Sequence, residues 1–212
     1  MAIRQKKEKD EYEFEQKKIN HIFHYTNRFE FLEGIIQKGF QPSYCKEEIQ
    51  GYKYLSPMVS FCNIPIGEVD KYARYGKNGI GMSMEWAIKN KVNPVLYIHE
   101  GSEYFNTLDT RNLFERGVLD KNEDKLVKIA RGLLSNIKYW KTVYNKKTIN
   151  TYQEREWRYV PNIDNRRIII DEYFDNEDYR YYTDKKASPK PHFPDHGILI
   201  EDISDISYIV VT

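Results

Sequence analysis

Between Ile22 and Gly39 a two-residue period gives way to a helical one with almost nothing in between. In IFHYT, Ile22, His24 and Thr26 alternate with Phe23 and Tyr25, the signature of a strand. NRFEFLEGIIQKG follows at once. Asn27 and Glu30 have capping-box spacing, Phe29, Leu32, Ile35 and Ile36 form a stripe, and Gly39 supplies the stop. A strand that feeds a helix this directly must pack it back over its own sheet, which excludes an all-helical or an all-β fold.

The later segments do not repeat that unit regularly. MVSFCNIP reads as a buried strand, IGEVDKYARYG as a helix, IGMSM as a strand, Glu85–Asn90 as a short helix and PVLYIH as a strand. A long helix is expected from Lys121 to Asn145, with Leu126, Ile129, Leu133, Ile137, Trp140 and Tyr144 along one face. RRIII, GILI and YIVVT supply further strands around a polar, tyrosine-rich loop at Asp175–Tyr182. Strands outside a steady βαβ alternation point to an α+β fold with a mainly antiparallel central sheet and helices. Residues 1–18 read as a charged N-terminal segment, and 19–212 as one α+β domain with no internal repeat.

Charge excludes some roles. The chain carries 33 Lys and Arg against 32 Asp and Glu, so its total charge demands neither nucleic acid nor an anionic membrane. No apolar run is long enough to span a bilayer, and the N-terminus lacks the apolar core of an export signal. The expectation is a cytoplasmic protein with Cys45 and Cys62 reduced. No metal is expected. His192 and His196 flank Pro194, which breaks the helix their spacing would need.

The stretch TYQEREWRYVP holds the densest chemistry. Read as a strand, it puts Glu154, Glu156 and Arg158 on one face and Arg155, Trp157 and Tyr159 on the other. Two neighbouring carboxylates beside an arginine can meet a developing positive charge. They can equally form a solvated face in which Glu156 pairs with Arg158. His24 can hydrogen-bond a ligand in the crevice between its strand and the next helix, or simply satisfy backbone. Lys138, Lys141, Lys146 and Lys147 make the end of the expected long helix basic, as a solvated face or as a phosphate contact.

IFHYTNRFEFLEGIIQKGF, the GIGMSMEW block, EREWRY and the closing ILIEDISDISYIVV together resemble the AbiGi family of abortive-infection proteins. The resemblance implies cytoplasmic phage resistance, an antitoxin paired with a nucleotidyltransferase-like toxin, and no catalytic residues. A more distant similarity is to ADP-ribosyltransferases: a first strand with H-Y-T, a helix ending in Gly, and a late strand with E-x-E. This similarity implies an ADP-ribosyltransferase-like fold with NAD as substrate and a nucleic acid or protein as acceptor. Under it His24 anchors the NAD ribose, Glu156 is the catalytic glutamate and Glu154 orients the acceptor. Tyr25 or Tyr72 stacks on nicotinamide, Arg158 holds the pyrophosphate, and Ser60 or Tyr97 takes the middle position.

Overall fold

The computed structural model describes residues 20–65, 68, 76–108, 112, 125–144, 146–161, 169–170 and 193–211. The N-terminal segment, the helix expected at Ile66–Gly76 apart from residues 68 and 76, the tyrosine-rich loop and His192 lie outside these residues. The opening unit forms as read, with β1 at His21–Thr26 and α1 at Phe29–Lys38. The capping box does not: Arg28 is the N-cap, and no side chain caps the helix. Leu32 is the buried member of the stripe, whereas Phe29 and Ile36 are exposed. At the helix end Gly39 adopts φ 77°, and its N–H donates to the Ile35 carbonyl at 2.8 Å.

The strands that follow are β2 at Ser43–Ile49, β3 at Tyr52–Cys62 and β4 at Asn78–Ser83. Helix α2 at Met84–Lys89 starts from Ser83, whose hydroxyl accepts from the Trp86 N–H at 3.1 Å. PVLYIH splits into β5 at Asn93–Pro94 and β6 at Leu96–Ile98, and a short α3 spans Glu103–Thr107.

The long helix is a correction. Among the described residues helix α4 covers Lys125–Asn136, residues 121–124 lie outside them, and β7 begins at Ile137 and ends at Tyr139. A hairpin of β8, Lys141–Tyr144, and β9, Lys147–Asn150, follows. The reason is tertiary: Ile137–Tyr139 pairs in parallel with Leu96–Ile98, and Ile137 is buried there beside Ile98. Helix α4 turns Val127, Ala130 and Leu134 inward, and Ile129 is exposed.

The remaining strands are β10 at Glu156–Tyr159, β11 at Ile169–Ile170 and β12 at Ile206–Val210. Among the described residues the main sheet is antiparallel, in the order β12-β4-β1-β3-β10-β5, with β2 and β11 also pairing with β3. One face packs on α1 and α2 through Leu32, Phe40, Phe61 and Trp86, and Trp157 and Tyr159 join that core. Next to β1, Gly79 and Gly81 form part of β4. A Cβ at Gly81 would lie 2.7 Å from the Phe23 ring and one at Gly79 2.8 Å from Tyr25, so these glycines leave room for the two rings.

Strands β1 and β3 are in register only at Phe23–Cys62. Beyond that pair, the His24 side chain rather than the ladder bridges them. That opening positions the site.

Candidate functional site

Two cavities meet at His24 and Tyr25. The outer one, about 570 Å³, lies between the end of β1 and α1, with Asn27, Glu30, Lys38 and Gln41 on its wall. It is the strand–helix crevice expected from the sequence. The inner one, about 280 Å³, is lined by His24, Tyr25, Ser60, Lys138, Glu154 and Glu156, with Cys45, Glu47 and Cys62. His24 and both glutamates therefore converge on one cleft and do not face bulk water.

A backbone kink brings the glutamates together. Glu154 is not on the strand: Thr151–Glu154 is a 3₁₀ turn, and Arg155 takes a left-handed conformation at φ 45° and ψ 53° before β10 begins. The Asn63 N–H holds the Arg155 carbonyl at 3.0 Å, and the Tyr97 hydroxyl accepts from the Glu156 N–H at 2.7 Å. A left-handed residue with a Cβ costs energy, and such strain is commonly kept at functional sites. The kink aims both carboxylates at Lys138 Nζ, which lies 2.6 Å from Glu156 and 3.4 Å from Glu154.

Behind the cavity the charges form a network. Arg158 is 0% exposed. Its Nε donates to Glu156 Oε1 at 2.8 Å, its Nη1 to the Ser135 carbonyl at 2.8 Å and its Nη2 to Glu47 Oε1 at 2.6 Å. The expectation that Arg158 grips a pyrophosphate is corrected by this: its donors are turned into the protein, and it lines neither cavity. Of the expected solvated face the pairing of Glu156 with Arg158 is present, but the solvation is corrected, because α4 and β7 cover the face through Ser135 and Lys138.

Burial alone would raise the Glu156 pKa, but Arg158 and Lys138 overcome it and hold the carboxyl at about 2. At Glu47 burial prevails over Arg158 and pushes the carboxyl up. Burial lowers Lys138, yet Glu156, Glu47 and Glu154 outweigh it and raise the ammonium. His24 is lowered by burial, with the Ser60 bond opposing, so its ring is neutral at pH 7. Its Nδ1 lies 2.8 Å from the Ser60 carbonyl, which can only accept. Nδ1 therefore carries the proton and Nε2 is an acceptor.

The Glu156 shift sets a pH dependence. A carboxyl ordinarily near 4.5 but held at about 2 stabilises the fold above the unfolded pKa and loses that contribution as pH falls toward 2. A depression of this size is worth on the order of 3 kcal/mol. Glu47 acts in the opposite sense, so a single stability curve mixes the two. The difference in unfolding free energy between wild type and Glu156→Gln, followed by urea denaturation, is expected to be widest near neutral pH, to narrow below about pH 4.5 and to close as the pH approaches about 2.

Of the middle-position candidates, Ser60 lines the inner cavity and lends its carbonyl to His24, while Tyr97 acts on the Glu156 backbone. Tyr72 lies outside the described residues. Glu47 and Ser135 were not anticipated as site residues, and Lys138 was expected only within the basic end of a helix. The one available signal was the alternation of Cys45, Glu47 and Ile49 along β2, which puts a glutamate in line with an apolar residue. No group of three metal-ligating side chains occurs among the described residues.

Comparison with known proteins matches residues 38–198 to the family described as "Putative abortive phage resistance protein AbiGi, antitoxin". The chain belongs to the AbiGi family. It is also similar to an abortive phage resistance protein AbiGi of Lactococcus lactis subsp. cremoris, at 26% identity, with 81% of this chain and 82% of that protein aligned. No solved structure matches the chain. The matched span of this AbiGi-family chain contains Ser60, Lys138, Glu154 and Glu156, and begins after His24. Among the described residues no helix is long and apolar enough to cross a membrane.

Proposed function

We propose that this chain acts in the cytoplasm in anti-phage defence of the abortive-infection type, and that its cleft binds NAD as the substrate of an ADP-ribosyl transfer. The defence role is supported by the family match and by the lactococcal relative's name. The NAD reading is supported by one observation: the parting of β1 and β3 lines His24, Ser60, Glu154 and Glu156 along a single cleft.

The chemistry follows from these groups. His24 Nε2 accepts a hydrogen bond from a hydroxyl of the nicotinamide ribose, and the Tyr25 ring, itself stacked on Phe23 at 5.8 Å, lines the cleft beside it. The bond between nicotinamide and the anomeric carbon breaks with its electron pair leaving on nicotinamide. The positive charge that grows on the sugar is what a preorganised carboxylate at Glu156 stabilises. The acceptor's nucleophilic atom bonds to the anomeric carbon, and Glu154 takes its proton.

Calorimetry with purified protein tests this. NAD is expected to bind saturably, and His24→Ala to weaken it about tenfold or more, the value of a lost hydrogen bond left unsatisfied. The absence of binding at about 1 mM NAD, a weak limit for a substrate site, would overturn the transferase reading. A second reading then takes over, that of an antitoxin-type partner restraining a cognate toxin. It is favoured by the family description and by one feature of the site: both Glu156 oxygens are already held, by Arg158 and Lys138.

A further inference from the structure

From Lys125 to Gln153 the chain carries seven cations and no carboxylate, although the protein as a whole is almost neutral. The part of this run beyond the half-buried Lys138 is the β8–β9 hairpin, a two-stranded sheet of its own that, among the described residues, pairs with no strand of the main sheet. Lys141 and Lys146 are exposed on it, and Lys147 opens β9. At its base the Thr151 N–H donates to the Trp140 carbonyl at 2.8 Å, so the hairpin leads directly into the turn that carries Glu154. Two exposed side chains stand on that turn and at its end. Tyr152 is 59% exposed, with its ring held edge-on by Tyr97 at 5.4 Å, and Arg155 points to solvent from the left-handed kink.

We infer that the hairpin and its base form a binding surface for single-stranded nucleic acid, the strand running from Lys146 past Lys141 and Tyr152 to the mouth of the inner cavity. Each part suits such a strand. The lysines meet phosphates, and the absence of carboxylates from the run means that they are not paired within it. Tyr152 offers a fixed ring face for an unpaired base. Trp140 does not, because His99 packs on it at 4.7 Å and Lys141 Nζ sits 4.3 Å from its ring. A left-handed arginine next to Glu154 is unusual, since glycine or asparagine fits that backbone at lower cost. Arg155, exposed at that kink, adds a further cation beside the turn. The binding does not depend on NAD; only the strand's role as acceptor rests on the transferase reading.

The test is fluorescence anisotropy with labelled DNA and RNA of about 16 nucleotides, the upper site size of one small binding domain, without NAD. The wild type is expected to bind an unpaired strand at about 50 mM salt and to weaken steeply toward 200 mM. Lys141→Glu combined with Lys146→Glu should weaken binding about tenfold or more and make the salt slope shallower by about 1.4, two contacts at roughly 0.7 each. Tyr152→Ala should weaken it about fivefold or more with the slope unchanged, because stacking releases no counterions. NAD calorimetry on the double variant should match wild type, which checks folding and keeps failure of the two readings separable. No binding by wild type, no effect of the charge reversal, or preference for the duplex would overturn the proposal. So would loss, in the double variant, of an acidic protein that wild type retains without binding either oligonucleotide.

Discussion

Replacing Arg158 by methionine is expected to lower the unfolding free energy by about 3–5 kcal/mol, the cost of removing one partner from a buried ion pair. The side chain has no exposure, and its guanidinium joins three elements: Glu156 on its own strand, Glu47 on β2 and the Ser135 carbonyl at the end of α4. Its removal leaves Glu47 and the Ser135 carbonyl without this donor and Glu156 with Lys138 alone. Arg158→Lys keeps the charge but cannot reach in three directions at once, so an intermediate loss is expected. Urea denaturation at neutral pH measures both, and the methionine variant should melt roughly 10 °C or more below wild type for a chain of this size. A loss below about 1 kcal/mol would place the network within the range of solvent-screened surface pairs and would contradict the burial on which the site argument rests. Lys138→Met removes the other cation, but Lys138 retains partial exposure, so its cost should be smaller.

The sequence made the site's two ends legible and concealed what joins them. The β1–α1 unit could be read because its signals are local: alternation, then a stripe, then Gly39 at φ 77°. The two faces of β10 were also legible, since period two alone separates Glu156 and Arg158 from Trp157 and Tyr159. What period two could not reveal is that both faces are covered. That depends on Glu47, whose partner Arg158 lies 111 residues away, and on Lys138, which was assigned to a helix. The helix error is instructive in the same way. Ile137, Trp140 and Tyr144 keep helical spacing, and only the pairing of β7 with β6 overrides it. Glu154 was misplaced by one backbone feature, the left-handed Arg155, because arginine carries no sign of that conformation.

The two glutamates should separate when each is neutralised. Glu156 is held through both oxygens, by Arg158 at 2.8 Å and Lys138 at 2.6 Å, so Glu156→Gln should lose stability as well as activity. Near-isosteric replacement does not protect the fold here, because Arg158 is left buried against a neutral amide. Glu154 meets Lys138 at the longer distance of 3.4 Å and stands before the strand rather than in it, so Glu154→Gln should cost less stability. If NAD is turned over, both variants should release nicotinamide about 10²–10³-fold more slowly, the usual loss when a preorganised stabilising group is removed. Running nicotinamide release and urea denaturation on the same preparations tells the roles apart. A Glu154→Gln variant with wild-type stability and no turnover identifies Glu154 as a residue of the chemistry. A Glu156→Gln variant that turns over at the wild-type rate while unfolding more easily makes Glu156 the carboxylate that holds Lys138 and Arg158 in place. In that case the negative charge available to a substrate in the inner cavity is the one on Glu154.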